Sequence, residues 1–366
     1  MHYHILLTES CNSQCRYCYG KSQQEPNILQ EKFKFDFLSP EFSKIDVEQL
    51  KVFLDKDKSP IIIFYGGEPL LNLEKLKEIM DKIKLPYRMQ TNGLLLDKLE
   101  SKYINRIDKI LVSLDGNEQR TDYNRGKGTY KKVLSNIQLL KQNRYKGELI
   151  ARMTISEFPD IYEQVKHLLS IGFNSIHWQL DAGFYSSDYN EEKFKQFTID
   201  YNKSISQLIK FWLDEMKQGK VLKLYPFLAI VHSLLKKETS LLRCGAGHSG
   251  YAITTSGKIV ACPIMNCMKD FELGDLASNP NDLKKFAIIG NCTSCGVLGL
   301  CGGRCLYWNR TKLWPESGNN LICSTIKRLI NELKNSLKEI KGLIEQGTIK
   351  ESDFNYEKYF GPEIIP

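Results

Sequence analysis

The N-terminal segment carries three closely spaced cysteines, Cys11, Cys15 and Cys18, in the order CX3CX2C. A four-iron cubane has four irons to ligate and this segment offers three thiolates, so one iron would keep an open coordination position. An open iron can hold a small molecule and pass it an electron, which favours a reactive centre over a structural staple. A zinc knuckle with His2 or His4 as fourth ligand, or a disulfide, would use the same thiols. The downstream segments bear on this choice.

Three downstream segments share one pattern, a strand-like run followed by glycine or polar residues. Run 60–65 precedes Gly66, Gly67, Glu68 and Pro69, run 87–91 precedes Asn92, and run 109–114 includes Ser113 and precedes Asp115. Run 60–65 is apolar, which is typical of a strand buried on both faces, and paired glycines let a backbone approach a ligand closely. The pattern predicts a site at the C-terminal ends of parallel strands.

In this order, the cysteine loop, the Gly-Gly-Glu-Pro motif and the later strand ends resemble the radical S-adenosylmethionine (SAM) superfamily. The resemblance implies that the three cysteines hold a [4Fe–4S] cluster whose open iron binds SAM. Electron transfer from the cluster would then cleave SAM to a 5′-deoxyadenosyl radical. The SAM-binding residues that we expect are Tyr17, Gly66, Gly67, Glu68, Asn92, Ser113, Asp115, Arg125, Arg152 and Gln179.

Several of these side chains also have a purely structural alternative. A carboxylate at a strand end, such as Glu68, can cap a helix, while Arg125 can be a surface arginine and Arg152 can pack the barrel. His177 shares a strand face with Gln179, and we expect it to be buried with its ring nitrogens hydrogen-bonded.

Strand-like and amphipathic segments alternate along the first half of the chain. The alternation predicts an α/β fold with a parallel sheet and right-handed crossovers, and the resemblance implies a partial (β/α)6 TIM barrel. The predicted strands are 3–8, 60–65, 87–91, 109–114, 148–155 and 175–180, with helices at 73–83 and 130–142.

A second cysteine array occupies the C-terminal half. Cys244 is followed by Gly257 and Cys262, and a CX2CX5CX3C run then joins Cys292, Cys295, Cys301 and Cys305 ahead of Cys323. The array resembles, cysteine for cysteine, the iron–sulfur SPASM domain of peptide- and protein-modifying radical SAM enzymes. A zinc ribbon built on the CX2C pair is the alternative, and it leaves several thiols unexplained.

The SPASM resemblance implies two auxiliary [4Fe–4S] clusters, hence three clusters in all. The outer cluster would use Cys292, Cys295, Cys301 and Cys323, and the inner one Cys244, Cys262 and Cys305. Only three cysteines follow the family pattern at the inner site. Cys267 completes it, or else its last iron stays open or is held by a side chain such as His248.

The predicted domains follow from these motifs. They are a radical SAM barrel at 1–185, a helical linker at 186–240, a SPASM domain at 241–325, and a C-terminal helix and tail at 326–366. We expect segment 20–46 to form a loop or short helix over the site, and 321–346 to form an amphipathic helix. The tail 354–366 packs on the surface or covers the site.

Composition limits the binding partners and the cellular compartment that we expect for this protein. The net charge of +8 comes from dispersed lysines without a dense basic block, so no nucleic acid partner is expected. No apolar run reaches the roughly 18 residues that span a bilayer, so no membrane is expected either. The cysteine loop begins at residue 11 and leaves no room for a secretory signal, which predicts a cytoplasmic protein with reduced, metal-binding thiols.

The motifs together predict a radical SAM maturase, closest to archaeal-type peptide-modifying radical SAM/SPASM proteins. It would install a thioether or other crosslink, or an oxidation, in a ribosomal peptide or protein, with a ferredoxin or flavodoxin as reductant. An open inner iron would favour the thioether, because it would bind a substrate thiolate. The alternatives are a radical SAM dehydrogenase acting on a small metabolite and a non-enzymatic iron–sulfur electron carrier.

Overall fold

The computed structural model describes residues 1–22, 28–181 and 189–366. These residues form two compact units: unit 1 comprises Met1–Ala151 with Gly245–Ala287, and unit 2 comprises Arg152–Cys244 with Ile288–Pro366. The expected boundary between residues 185 and 186 lies outside the described residues, and the four-part domain division stays a prediction.

The described residues contain ten strands and thirteen α-helices. The strands are β1 His2–Leu6, β2 Ile61–Tyr65, β3 Tyr87–Thr91, β4 Ile107–Ser113, β5 Glu148–Ile155, β6 Ser175–Leu180, β7 Lys223–Leu224, β8 Gly250–Ile253, β9 Lys258–Val260 and β10 Glu272–Asp275. The helices are α1 Tyr19–Ser22, α2 Ile28–Lys32, α3 Val47–Leu54, α4 Leu73–Lys82, α5 Ser101–Ile104, α6 Glu118–Arg125, α7 Thr129–Gln142, α8 Ile161–Ser170, α9 Glu191–Lys217, α10 Tyr225–Lys236, α11 Leu298–Cys301, α12 Leu306–Thr311 and α13 Glu316–Glu345.

A parallel sheet forms the core of unit 1. The apolar strand β2 pairs in parallel with β1 on one side and β3 on the other, and β3 pairs in parallel with β4. Parallel pairing brings the C-terminal ends of these strands to one edge, where the glycine-rich and polar segments follow. The predicted α/β class with a parallel sheet is confirmed, and all six predicted strands are present within two residues of their expected bounds.

Three further strands of unit 1 were not predicted. β8 pairs in parallel with β1, and β9 runs antiparallel to both β8 and β10. They lie within the segment that we expected to bind clusters. The strands are three or four residues long, too short to show a clear period in the sequence.

Unit 2 is dominated by long helices. The expected helical linker 186–240 is interrupted in its described part. α9 ends at Lys217, β7 pairs in parallel with β6, and α10 begins at Tyr225 with Pro226 in its first turn. α13 begins at Glu316, five residues earlier than expected, and packs against α9. Both helices bury apolar residues at helical spacing, and for α13 this confirms the predicted amphipathic helix.

The C-terminal tail packs into unit 2. Phe354, Phe360 and Ile365 are buried, and the ring of Phe354 meets Trp212 edge-on with centroids 6.0 Å apart. The buried Glu363 carboxylate accepts hydrogen bonds from the backbone N–H groups of Phe360 and Gly361. In the described part of the chain, no helix is both long enough and apolar enough to cross a membrane.

Candidate functional site

The two motif glycines lie against the backbone that leads into the cysteine loop. The N–H of Gly67 donates to the carbonyl of Thr8 at 2.8 Å, and the N–H of Glu68 donates to Ser10 at 2.9 Å. A Cβ at Gly66 would overlap the Thr8 carbonyl oxygen, and one at Gly67 would overlap that of Ser10. Gly66 also has φ +145°. The close approach that these glycines permit is therefore an approach to the loop itself.

The Asn92 side chain holds the cysteine loop from the end of β3. Its amide nitrogen donates to Asn12 Oδ1 at 2.7 Å and to Ser13 Oγ at 3.3 Å, and it lies 3.8 Å from the sulfur of Cys11. Its amide oxygen accepts from the N–H of Leu94 at 3.0 Å, which fixes its orientation. Sequence reasoning missed Asn12 and Ser13, since polar residues between loop cysteines are common and carry no distinct signal.

Glu68 is fully buried and caps the short 3-10 turn Pro69–Leu71. Its carboxylate accepts from the N–H of Leu70 at 3.1 Å, the hydroxyl of Thr91 at 2.7 Å and the N–H of Asn92 at 2.7 Å. Burial raises the pKa of Glu68 to about 7, and the three hydrogen bonds oppose that rise. Glu68 therefore has the structural capping role that was its alternative, and its contact with SAM stays a prediction.

The buried carboxylate of Asp115 contacts two other expected site residues, Tyr17 and Arg125. It accepts from Nε and Nη2 of Arg125, both at 2.9 Å, from the hydroxyl of Tyr17, and from the amide of Asn124 at 3.3 Å. Nη1 of Arg125 lies 3.9 Å from the sulfur of Cys15. Arg125 is 8% exposed, so the surface-arginine alternative is wrong. The bidentate pair places a cation beside a cluster cysteine.

We expect Asp115→Ala to destabilise the protein by about 3–5 kcal/mol, because it leaves the buried guanidinium of Arg125 without its carboxylate. Urea unfolding followed by circular dichroism measures this change. The matched control is Glu118→Ala, which breaks an exposed pair with Lys131 and should leave the unfolding midpoint unchanged. An Asp115→Ala protein as stable as the control would show that this pair does not anchor the loop.

The thiols of Cys11, Cys15 and Cys18 interact electrostatically with one another, so the loop brings them together. Burial raises the pKa of Cys11 to about 11, and the other thiolates would raise it further. Thiolates that repel one another need a bound cation to form at neutral pH, which a cluster iron supplies. The donor set therefore fits a three-cysteine cluster site.

The disulfide alternative gains no support, because none of the eleven cysteines is joined in a disulfide. Within residues 1–22, 28–181 and 189–366, no three His, Cys, Asp or Glu side chains converge on one ion. This holds for the loop cysteines as well, so it does not distinguish a zinc site from a cluster site.

Three of the expected SAM-binding residues, Ser113, Arg152 and Gln179, lie outside the contacts described so far. Ser113 is buried at the end of β4 in unit 1. Arg152 and Gln179 lie in unit 2, where Nη2 of Arg152 donates to the Gln179 side-chain oxygen at 3.1 Å.

His177 is fully buried, as expected, but both of its ring nitrogens lack a hydrogen bond, so the predicted hydrogen bonding of this ring is wrong. Burial lowers the pKa of His177 well below its usual value, because the imidazolium would be desolvated.

The four cysteines of the expected outer set line one cavity of about 550 Å³ in unit 2. Cys292, Cys295, Cys301 and Cys323 also interact electrostatically with one another, and burial raises the pKa of Cys301 to about 11. Thiolates are the usual cluster ligands, and four in one cavity match the ligand number of a closed [4Fe–4S] cluster. The outer set therefore fits the group that the sequence predicted.

The expected inner set is divided between the units. Cys244 and Cys305 belong to unit 2, and Cys262 and Cys267 belong to unit 1. Burial raises the pKa of Cys267 to about 12, and the charges of Glu9 and Asp36 add to that rise. The inner cluster, the role of Cys267 and that of His248 stay predictions.

Comparison with known proteins finds a family match for part of the chain and several relatives. Residues 5–168 match the profile of the Radical SAM superfamily. The chain is 24% identical over 362 residues to the radical SAM cyclopropyl synthase TigE of Paramaledivibacter caminithermalis, covering 90% of this chain and 74% of the relative. It is 23% identical over 366 residues to the cysteine-type anaerobic sulfatase-maturating enzyme of Clostridium perfringens, covering 90% and 96%.

Solved structures show the same fold. The native anSMEcpe structure with bound AdoMet and Cp18Cys peptide superposes with a TM-score of 0.70 at 18% identity, covering 94% of this chain and 99% of that one. Streptococcus suis SuiB bound to its precursor peptide SuiA gives a TM-score of 0.51 at 14% identity, covering 85% and 72%.

Proposed function

We propose that the chain is an enzyme that modifies a side chain of a ribosomally made peptide or protein, since residues 5–168 match the Radical SAM superfamily. Enzymes with this domain use SAM and a [4Fe–4S] cluster. In this chain Cys11, Cys15 and Cys18 would hold the cluster, which supplies the 5′-deoxyadenosyl radical that abstracts a substrate hydrogen.

The observation that carries the proposal is the cavity of unit 2 lined by four cysteines, in addition to the cysteine loop of unit 1. A second cluster gives the enzyme a one-electron acceptor for the substrate radical, which SAM cleavage alone does not require. The two relatives named above are a cyclopropyl synthase and a sulfatase-maturating enzyme, and both similar structures contain a peptide. These likenesses support a peptide or protein substrate.

The residues of unit 1 would prepare the radical site. Asn92 orients the loop near Cys11, and Arg125 places a positive charge near the sulfur of Cys15. A nearby cation stabilises a cluster after it gains an electron. Asp115 holds Arg125 in that position, so we propose a positioning role for both residues, with Tyr17 as their third member.

We propose thioether formation as the specific reaction, because only three cysteines match the inner-cluster pattern. An iron left open there would bind a substrate cysteine as its thiolate. Cys267 competes with this reaction: a structure that shows its sulfur bound to the inner cluster removes the reason for preferring a thioether. We propose a ferredoxin or flavodoxin as the reductant.

Anaerobic incubation with SAM, dithionite and a cysteine-containing peptide library tests the function. We expect 5′-deoxyadenosine, together with peptides that have lost two hydrogens and their iodoacetamide-reactive thiol. A matched library with serine in place of cysteine is the control and should stay unmodified. Turnover of small alcohols, with no change in any peptide, would overturn the peptide assignment. SAM cleavage absent under all conditions would overturn the enzymatic one.

A further inference from the structure

Arg304 lines the outer-cysteine cavity, between the cluster candidates Cys301 and Cys305. It is 6% exposed and adopts φ +58°, the left-handed region that non-glycine residues rarely occupy. Gly302 and Gly303 precede it with φ values of +74° and +81°. This left-handed turn of the backbone leads into Arg304, whose long cationic side chain lines the cavity.

The contacts of Arg304 leave one end of the guanidinium group unused. Nη2 donates to the carbonyls of Leu180 and Asp181, both at 3.1 Å, and the guanidinium carbon lies 5.0 Å from the centre of the Trp308 ring. Nη1 is buried and has no hydrogen-bond partner among the described residues. A buried guanidinium N–H without an acceptor is rare in proteins, and it points to a missing acceptor in the cavity.

The charge of Arg304 also lacks a conventional partner. Arg304 forms no ion pair with a carboxylate in the part of the chain that the structure describes. The negative groups that interact with it are the thiolates of Cys301, Cys305 and Cys323, together with the carboxylate of Asp181. A buried cation is costly unless an anion offsets it. A [4Fe–4S] cluster with four thiolates is such an anion.

We propose that Arg304 donates an Nη1 hydrogen bond to a sulfur of the outer auxiliary cluster and raises the reduction potential of that cluster. The proposal rests on the outer cluster of the proposed function. Uptake of one electron makes the cluster more negative, so a buried cation and a hydrogen bond to sulfur both favour the reduced form. Arg304 is accordingly a positioning residue for electron transfer, and it makes the outer cluster the better electron acceptor.

Redox titration followed by electron paramagnetic resonance tests the charge effect. We expect the outer-cluster signal, identified by its absence from Cys301→Ala protein, to shift to a more negative potential in Arg304→Gln. A smaller shift is expected in Arg304→Lys, which keeps the charge but loses the fork of donors. Lys327→Met is the matched control, since it removes an equal charge from an exposed side chain of the same cavity and should shift the potential less.

The hydrogen bond is tested in protein that keeps Arg304. Protein labelled with 15N-arginine and lacking Cys11, Cys15 and Cys18 should show hyperfine coupling between a guanidinium nitrogen and the reduced outer cluster, and Arg304→Lys should abolish it. Absence of this coupling, or an Arg304→Gln potential equal to that of wild type, overturns the proposal. Iron and sulfide analysis separates the two hypotheses: a wild-type protein without outer-cluster iron contradicts the proposed function, whereas full iron without coupling contradicts only the role of Arg304.

Discussion

Replacing Cys15 with alanine is expected to reduce 5′-deoxyadenosine formation below about one hundredth of the wild-type rate, since changes outside the ligand shell already cost 10–100-fold in metal sites. The sulfur of Cys15 lies 3.9 Å from Nη1 of Arg125. Of the proposed clusters, the one held by this loop is the one that would bind SAM. Chromatographic quantification of 5′-deoxyadenosine under anaerobic, dithionite-reduced conditions measures the loss.

The iron content shows whether Cys15→Ala removes only the cluster of the cysteine loop. Wild-type protein should carry about twelve irons per chain, and Cys15→Ala should keep about eight. Cys323→Ala is the matched cysteine control in the other unit, and it should still cleave SAM. Substantial SAM cleavage by Cys15→Ala would contradict the role given to all three loop cysteines.

Replacing Cys301 with alanine is expected to abolish peptide modification while SAM cleavage continues without product. Cys301 is the outer cysteine whose burial raises the thiol pKa to about 11, so it is the ligand most dependent on bound metal for its thiolate form. Its loss should remove the outer cluster and the electron acceptor for the substrate radical. The measurement is the ratio of modified peptide to 5′-deoxyadenosine in one reaction mixture.

The matched control for this second substitution is Ser324→Ala, an exposed position next to Cys323 on α13. It should keep about twelve irons and a normal product ratio, whereas Cys301→Ala should lose about four irons. If Cys301→Ala modified peptide at the wild-type ratio, the outer site would not act in turnover. Zinc in place of iron there would reject the cluster assignment itself.

The elements that the sequence predicted best are those with strong periodicity. β3, β5 and β6 have the predicted bounds, and β2, the apolar run expected of a strand buried on both faces, differs by one residue. The short strands β8 to β10 were missed, since three or four residues carry no period. The interruption between α9 and α10 was also missed, although Pro226 is a usual helix-start signal.

The candidate site also combines features that the sequence predicted with features that it could not predict. Cysteine spacing predicted the outer set because ligand number and spacing are set by the metal, whatever the surrounding fold. The pairing of Asp115 with Arg125 was not predictable from spacing, as it depends on how α6 returns toward the end of β4. Gly66 and Gly67 admit the backbone of residues 8–10, a tertiary contact that no local pattern encodes, and their expected contact with SAM stays a prediction.

The fastening of the cysteine loop has a consequence for damage by oxygen. Backbone bonds to Gly67 and Glu68, and side-chain bonds from Asn92, hold the loop with protein groups alone. We therefore expect a chain whose cluster is destroyed by oxidation to keep the path of this loop, unlike a zinc finger, which unfolds when its metal leaves. Repair would then require fresh iron, sulfide and reduced thiols at a preserved site, without passage through the unfolded state.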